Sequence, residues 1–335
     1  MPREHEQAAT RRTVLRAGAA VGGVTVLGAA SVLGAGTANA ATRSSASPPY
    51  PQGVTDTSHA SPRVAEIFRG FFTAKSEHNA PALMNYFSMT NAFYIDASSG
   101  TVWPSWESLN DLFTPFFAAG LPADAISYPL RIVGDENSAL VEFEDTPELF
   151  GSELRILGSV TFDEHQKIIR WIDYWDGRSA LVQNSITSSY PAYFKDEVQR
   201  ADPLVASVAE SLQQAYAAGD VAGALALMTF DVVHEDMAAH ARLRGQLQVG
   251  RYYTRALGAL PFGPGASLVH VEGGRQGGGY EWSAAPVANP MRRGHTCIEL
   301  DATGKISRLT TIYDSSLLGY SAYTSLVGLS AEAPL

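Results

Sequence analysis

A carboxylate set between two tryptophans is the clearest candidate for proton-transfer chemistry in this 335-residue chain. Residues 168–175 read as a strand, and alternate side chains of a strand point to one face, so Asp173 shares a face with Trp171 and Trp175. Apolar walls raise the pKa of a carboxyl group, as a general acid or base near neutral pH requires. We predict Asp173 as catalytic, and the two tryptophans as either substrate-binding or plain core.

Two other predicted strands end in an aspartate. Asp96 follows Tyr94 by two residues, which places a phenol beside a carboxylate, and we predict both as catalytic. Asp236 follows His234 in the same way, and a His/Asp pair can move a proton next to a carbonyl group. His234 and Asp236 are therefore predicted as a second catalytic pair.

Glutamates at two strand positions leave two interpretations open. Glu142 shares a strand face with Glu144 and could add a carboxylate to a pocket, and Glu281 stands in a similar sequence. Glutamates at such positions are also typical of the solvent-exposed face of a half-buried strand. We predict Glu142, Glu281 and Tyr313 as substrate-binding residues.

One sequence pattern occurs twice. Lys-Ile-x-Arg followed by an aromatic residue and Asp begins at Lys167 and again at Lys305, an offset of 138 residues. Asp96 and Asp236 repeat at nearly the same interval, which is the size of a domain. The chain is therefore predicted to be a tandem duplication. Asp176, which ends the first copy of the pattern, is predicted to cap a turn, as is its counterpart Asp314.

Each copy has the same predicted order of elements. Ser61-Pro62 and Asp202-Pro203 read as a cap followed by the first helical residue, and apolar stripes with helical spacing follow both. A short helix, a strand, a third helix and an antiparallel run of strands complete each copy. The fold class predicted is α+β, with two cone-shaped domains in which about three helices cover a curved antiparallel sheet.

This order resembles the nuclear transport factor 2-like superfamily, which includes ketosteroid isomerases, SnoaL-type polyketide cyclases and limonene epoxide hydrolases. The motif from Lys167 to Asp176 looks like the final strand of the epoxide hydrolases. That resemblance implies an acid/base role for Asp173. It also matches Tyr94 and Asp96 to the Tyr and Asn that position water there, whereas ketosteroid isomerases keep their base at the Asp96 position. His234 and Asp236 match a SnoaL-like pairing.

The sequence differs from those families in two respects. No Arg accompanies Glu142-Phe143-Glu144-Asp145, where epoxide hydrolases keep an Arg that bridges two acids. The Tyr and the protonated acid of the isomerase oxyanion hole have no counterparts at matching positions. An isomerase reaction would need another electrophile, for which Tyr94 is a candidate.

The N-terminus reads as an export signal. Arg11-Arg12 precedes a mild apolar stretch, and Ala38-Asn39-Ala40 is a small-residue cleavage site. We expect residues 1–40 to be a twin-arginine signal peptide, 41–60 a flexible linker, 61–185 and 202–322 the two domains, 186–201 an interdomain linker and 323–335 a tail. The protein is predicted to be secreted or held in the cell envelope, with no stable membrane insertion.

Composition narrows the function. Cleavage would remove four arginines and two glutamates and change the net charge from −10 to −12, which disfavours nucleic acid as a partner. The single Cys297 and scattered histidines offer no spacing for a metal site, and no cofactor is expected.

The predicted function is isomerase, cyclase, dehydratase or epoxide hydrolase chemistry on a hydrophobic small molecule. The alternatives are a non-catalytic carrier of an apolar ligand and an interaction scaffold, with the two domains paired as an intramolecular pseudo-dimer.

Replacing Arg11 and Arg12 together by lysine should block export, because the twin-arginine pair is an address read by a receptor and not simply a source of positive charge. Cell fractionation of the producing organism would measure the exported share. Arg3→Lys is the matched control and should leave export unchanged. Export of the double variant at the wild-type level would contradict the prediction.

Overall fold

The computed structural model describes residues 47–179, termed the first half, and 201–331, termed the second half. The predicted signal peptide and nearly all of the predicted interdomain linker lie outside the described residues. Each half contains one sheet with helices, seven strands in the first and six in the second. The prediction of an α+β fold made of two tandem units is confirmed.

The two halves repeat one order of elements. The first half contains β1 Asp56–Ala60, α1 Pro62–Ser76, α2 Ala80–Met84, β2 Tyr94–Asp96, β3 Thr101–Trp103, α3 Trp106–Ala118, β4 Ser127–Gly134, β5 Ser138–Asp145, α4 Pro147–Phe150, β6 Leu154–Phe162 and β7 Ile168–Trp175. The second contains α5 Pro203–Ala218, α6 Val221–Ala226, β8 Met228–Asp236, β9 Ala241–Arg244, α7 Gly245–Ala256, β10 Ser267–Gly274, β11 Gly277–Ser283, β12 Arg293–Leu300, β13 Ile306–Tyr313 and α8 Tyr320–Ala331, with short 3-10 turns at Leu257–Ala259, Pro286–Ala288 and Ser315–Leu317.

The first helix of each half begins as predicted. Ser61 Oγ accepts a hydrogen bond from the amide of Val64 at 3.2 Å, and the Asp202 carboxylate accepts one from the amide of Leu204 at 2.8 Å. Such caps satisfy amides that have no partner within the helix. The predicted apolar stripe of α1 is buried against the sheet: Val64, Ile67, Phe68, Phe71 and Phe72.

Both sheets are mixed and not purely antiparallel. The strand order is β1-β4-β5-β6-β7-β2-β3 in the first half and β10-β11-β12-β13-β8-β9 in the second. The strands β4 to β7 and β10 to β13 form the antiparallel meanders that were predicted, whereas β1, β2 and β8 pair in parallel with β4, β7 and β13 respectively. The parallel pairs bring the early aspartate of each half beside the last strand of its meander.

Two predicted irregular segments are ordered structure. The flexible linker predicted for residues 41–60 is wrong for its last part, because β1 pairs with β4 and Tyr50 is buried against Tyr128. The tail predicted from residue 323 is wrong as well, since α8 buries Leu326 in the core of the second half. β1 is ordered because it bonds backbone groups of β4 that would otherwise lack partners. Helix α8 is ordered because it covers apolar surface of the second half.

Each sheet has two buried faces. The helix-covered face carries the main core of each half, which in the first half includes Phe72, Phe143 and Trp171 and in the second Tyr216, Tyr252 and Trp282. The opposite face, termed the interface face, packs against the other half. Its apolar residues form one cluster drawn from both halves: Ile95, Ala97, Val133, Leu140, Leu157, Ile172, Tyr174, Met237, Cys297 and Ile312.

Buried ion pairs surround that cluster. Arg170 of β7 donates to the carboxylate of Glu281 in the second half, and the Tyr174 hydroxyl donates to the other oxygen of Glu281 at 2.7 Å. Burial opposes ionisation of Glu281, yet the charge of Arg170 holds the pKa of this carboxyl well below its ordinary range. Arg155 donates to Glu235 of the second half at 2.6 Å.

The ends of the last strands hold each other reciprocally. Asp176 accepts hydrogen bonds from the backbone amide and hydroxyl of Ser315, each at 2.9 Å. Asp314, its counterpart, accepts from the amide of Gly177 at 3.1 Å. Both aspartates also bond an amide two residues on in their own half, as the turn-capping prediction required. The two caps therefore join the halves as well as ending the strands.

Replacing Arg170 by methionine should lower the free energy of unfolding by about 3–5 kcal/mol, because it removes the cation from a buried pair and leaves the Glu281 charge in place. Urea unfolding followed by tryptophan fluorescence measures the change. Arg63→Met is the matched control, since the Arg63–Glu66 pair is about half exposed and its loss should cost less than about 1 kcal/mol. Equal losses in the two variants would contradict the prediction.

Candidate acid/base site

Asp96 and Asp173 lie side by side on the helix-covered face of the first half. They are direct register partners on the parallel strands β2 and β7, and Tyr94 is the register partner of Trp171 two residues earlier. Register partners on neighbouring strands project to the same face of a sheet. The parallel pairing thus brings together two carboxyl groups that are 77 residues apart in the chain.

Asp173 is buried, with 5% of its surface exposed, and both of its oxygens are bonded. The Tyr94 hydroxyl donates to Oδ2, and the indole N–H of Trp171 donates to Oδ1. Burial raises the pKa of Asp173 to about 7, although these two hydrogen bonds act in the opposite direction. A carboxyl group with this pKa both holds and releases a proton at neutral pH.

Asp96 is held mainly through one oxygen. Its Oδ1 accepts from the indole N–H of Trp175 at 2.9 Å and from the amides of Ser98 and Ser99 at 3.0 and 2.8 Å. Burial raises the pKa of Asp96 to about 6, and the bonds from Ser99 and Trp175 limit that rise. At neutral pH, Asp96 is therefore the more ionised member of the pair.

Several aromatic side chains of the first half are only partly buried, and Tyr94 among them donates a hydrogen bond to Asp173. They pack against the core of the first half and keep part of their surface open: Tyr94, Trp103, Trp106, Phe113, Phe116 and Phe150. Trp103 contacts Tyr94 edge-on, with ring centroids 5.3 Å apart. Elsewhere, residues 48–57 and the start of α1 form a surface cleft of about 350 Å³, whose lining includes none of the residues predicted for the site.

The second half places its predicted pair differently. Asp236 is the register partner of Thr311, so the second carboxylate is absent at that position. Asp236 accepts from the Tyr313 hydroxyl at 3.1 Å, and burial raises its pKa to about 7. His234 lies 3.2 Å from the Tyr253 hydroxyl, and burial lowers its pKa to about 4, so it is neutral at physiological pH. His234 and Asp236 thus share a face but bond to different tyrosines.

This second cluster is closed off. His234, Asp236 and Tyr313 are each about 99% buried. Helix α8 packs against the same core through Leu326, and the backbone of α8 accepts a hydrogen bond from Arg255 at 2.9 Å. A ligand would have to displace side chains or this helix to reach Asp236.

Two predicted substrate-binding residues lie on the wrong face for that role. Glu142 pairs with Arg131 and Arg155, and Glu281 pairs with Arg170, all on the interface face. The prediction that these glutamates line a pocket is wrong, and so is the alternative that they face solvent, because both are buried. Packing of the second half against the first covers a face that a single domain would expose.

One pair on the helix-covered face of the first half was not predicted. Lys75, in the last turn of α1, forms an ion pair with Asp145 at the end of β5, with Nζ and Oδ1 2.8 Å apart. The signal was present in the sequence, since Lys75 follows Phe71 and Phe72 by four and three residues and so continues their apolar stripe. Asp145 likewise alternates with Phe143 on β5.

Residues 47–179 and 201–331 contain no group of three or more His, Cys, Asp or Glu side chains arranged to hold a metal ion. Within the same ranges, no helix has both the length and the apolar character needed to cross a bilayer.

Comparisons with known proteins return similar folds. No family model and no curated protein matches the chain. One similar solved structure is a steroid delta-isomerase from Pseudomonas aeruginosa, with 17% sequence identity over 40% of this chain and 93% of that chain and a TM-score of 0.32. Another is a SnoaL-like protein of unknown function from Burkholderia thailandensis, with 15% identity over 34% of this chain and 97% of that chain and a TM-score of 0.30. A third is an NTF2-like protein of unknown function from Cytophaga hutchinsonii, with 12% identity over 34% of this chain and 90% of that chain and a TM-score of 0.29. At these identities the likeness concerns the fold alone.

The raised pKa of Asp173 predicts a pH-dependent stability. A carboxyl with a pKa of about 7 when folded and an ordinary value of 3.8 when unfolded stabilises the fold fully below pH 3.8, and this contribution is lost as the pH rises through 7. From about pH 4 to about pH 8, wild type should lose up to about 4 kcal/mol relative to Asp173→Asn, which cannot ionise. Urea unfolding at both pH values measures this loss.

The matched control for that experiment is Asp111→Asn, because Asp111 is exposed on α3. The stability of this variant should follow wild type at both pH values. A constant difference between wild type and Asp173→Asn across the range would show that Asp173 titrates in its ordinary range.

Proposed function

We propose that the first half is a cofactor-independent acid/base enzyme that acts on a hydrophobic small molecule. The observation that carries this proposal is the adjacent pair Asp96 and Asp173, whose pKa values are raised to about 6 and about 7. Burying two carboxyl groups together lowers stability, and perturbed pairs of this kind cluster at functional sites. The rings of Tyr94 and Trp103 beside them keep part of their surface open and fit an apolar substrate.

The two carboxyl groups would divide the proton handling. Asp96 is the base, because it is the more ionised at neutral pH and its Oδ1 is fixed by Trp175, Ser98 and Ser99. Asp173 supplies or shares a proton, and Tyr94 orients it through the hydrogen bond to Oδ2. Isomerisation and aldol-type cyclisation use these steps, as do dehydration and epoxide opening with water.

In this proposal the second half stabilises the first as the other member of an intramolecular pseudo-dimer. The support is the closed core around Asp236, the absence of a carboxylate at Thr311, and the charged pairs that join the halves, including Arg170 with Glu281. We also propose export by the twin-arginine pathway, which rests on Arg11-Arg12 and the cleavage site after them.

Isotope labelling tests the proposed activity. The mature chain from Ala41 onward would be mixed with enolisable ketones and apolar epoxides in deuterated, oxygen-18-labelled water, and the products followed by mass spectrometry. Asp96→Asn should reduce deuterium exchange at the α-carbon by about 10²–10⁴-fold, the usual contribution of a general base. Oxygen-18 in a diol would instead identify epoxide hydrolysis.

Asp236→Asn is the matched control, since Asp236 is the counterpart of Asp96 in the closed half and its replacement should leave the rate unchanged. Loss of activity in Asp236→Asn with full activity in Asp96→Asn would move the site to the second half. Binding of the ketones and epoxides without any label above the buffer level would make the protein a carrier of apolar ligands.

A further inference from the structure

Lys75 is a positive charge inside the apolar part of the first half. Its side chain is 12% exposed and that of its partner Asp145 is 4% exposed. The ammonium group lies 4.7 Å from the ring centroid of Phe143 and 6.0 Å from that of Phe72. Cations over aromatic rings are attracted to the ring faces, so this location holds the ammonium group in place.

The same aromatic rings connect Lys75 to the carboxyl pair. Phe143 meets Trp171 edge-on with centroids 6.2 Å apart, and the indole N–H of Trp171 is bonded to Asp173. The positive charge of Lys75 acts to lower the pKa of Asp173, against the larger effect of burial. Lys75 therefore lies on the same face of the sheet as the proposed site.

A purely structural role accounts poorly for this pair. Removing two charges from water costs free energy that a buried ion pair at best recovers, and apolar residues of similar size often stabilise a core equally well. An ammonium group has three N–H donors, and among the described residues Asp145 is the hydrogen-bond partner found for Nζ. Two donors therefore remain for another oxygen.

The second half lacks this pair. Counted from the helix caps Ser61 and Asp202, Lys75 corresponds to Tyr216, whose hydroxyl lies 2.6 Å from that of Tyr253. By the register of Glu142 and Glu281, Asp145 corresponds to Ala284.

The Lys75–Asp145 ion pair therefore occurs in the half that also has the second carboxyl group, Asp173. Where the first half has Lys75, Asp145 and Asp173, the second half has Tyr216, Ala284 and Thr311. All three side chains lie on one face of the first half, and all three are replaced in the second half. This joint replacement points to one shared role.

We propose that Lys75 binds the oxygen of a carbonyl substrate and stabilises the negative charge that develops on it, a role that rests on the proposed function. When Asp96 removes a proton from the carbon beside the carbonyl, the electrons of that C–H bond move to the oxygen and form an enolate. A preorganised ammonium group in an apolar site stabilises such a charge far better than water does. The substrate class is thus an apolar molecule with an enolisable carbonyl group.

Binding of two probes of equal shape and different charge tests this role without requiring turnover. Equilibrium dialysis of the mature chain at about pH 5.5 would compare 2-naphthoate, an anion, with 2-naphthalenemethanol, which is neutral. We expect wild type to bind the anion at least about tenfold more tightly, a preference that a 1.4 kcal/mol interaction produces. Lys75→Met should remove the preference and leave binding of the alcohol within about twofold.

Two further variants complete the comparison. Asp145→Asn, which keeps the ammonium group and removes its counter-charge, should increase the preference for the anion. Lys305→Met removes a lysine that bonds the backbone of Ala226 in the second half and should change nothing. The wild-type preference should also fall as the pH rises from 5.5 through about 7, because Asp96 and then Asp173 ionise and repel the anion.

The outcomes separate the two proposals. Equal binding of the probes by wild type, no binding of either, or a preference that survives in Lys75→Met would overturn the role of Lys75. Loss of the preference in Lys75→Met, together with no labelling of any ketone, would retain Lys75 as an anion-binding residue and refute the enzymatic function.

Discussion

The packing of one sheet against the other is the contact on which the rest of this structure depends. It places an apolar cluster and several charged residues between the halves, where water is excluded. A buried charge is tolerated only with a partner, and Arg170 with Glu281 and Arg155 with Glu235 supply such partners across the boundary. The interface face of each described sheet is therefore occupied, and the proposed site lies on the helix-covered face of the first half.

The two helix-covered faces have the same origin and different chemistry. An aspartate ends the matching strand in both, at Asp96 and Asp236. In the first half it stands beside a second carboxyl group, Asp173, which bonds the partly exposed Tyr94. In the second half, tyrosines and helix α8 fill the equivalent space.

Local rules explain what was predictable. Helix caps at Ser61 and Asp202 and the alternation of residues along β7 depend only on neighbours in the chain, and the structure has them where the sequence indicated. Asp96 and Asp173 were both predicted as catalytic, and the parallel pairing of β2 with β7 is what brings them together. Lys75 was missed because a lysine at the end of a helix is ordinarily solvated.

By itself, the sequence determined the duplication, the α+β class and which face of each strand is apolar, because period and alternation are properties of the chain alone. The tertiary structure alone decided what covers the opposite face. Glu142 and Glu281 read as pocket or solvent residues until the second half covers them, and residues 56–60 read as a linker until β4 offers an unpaired edge. These outcomes depend on contacts between distant segments, which no local pattern records.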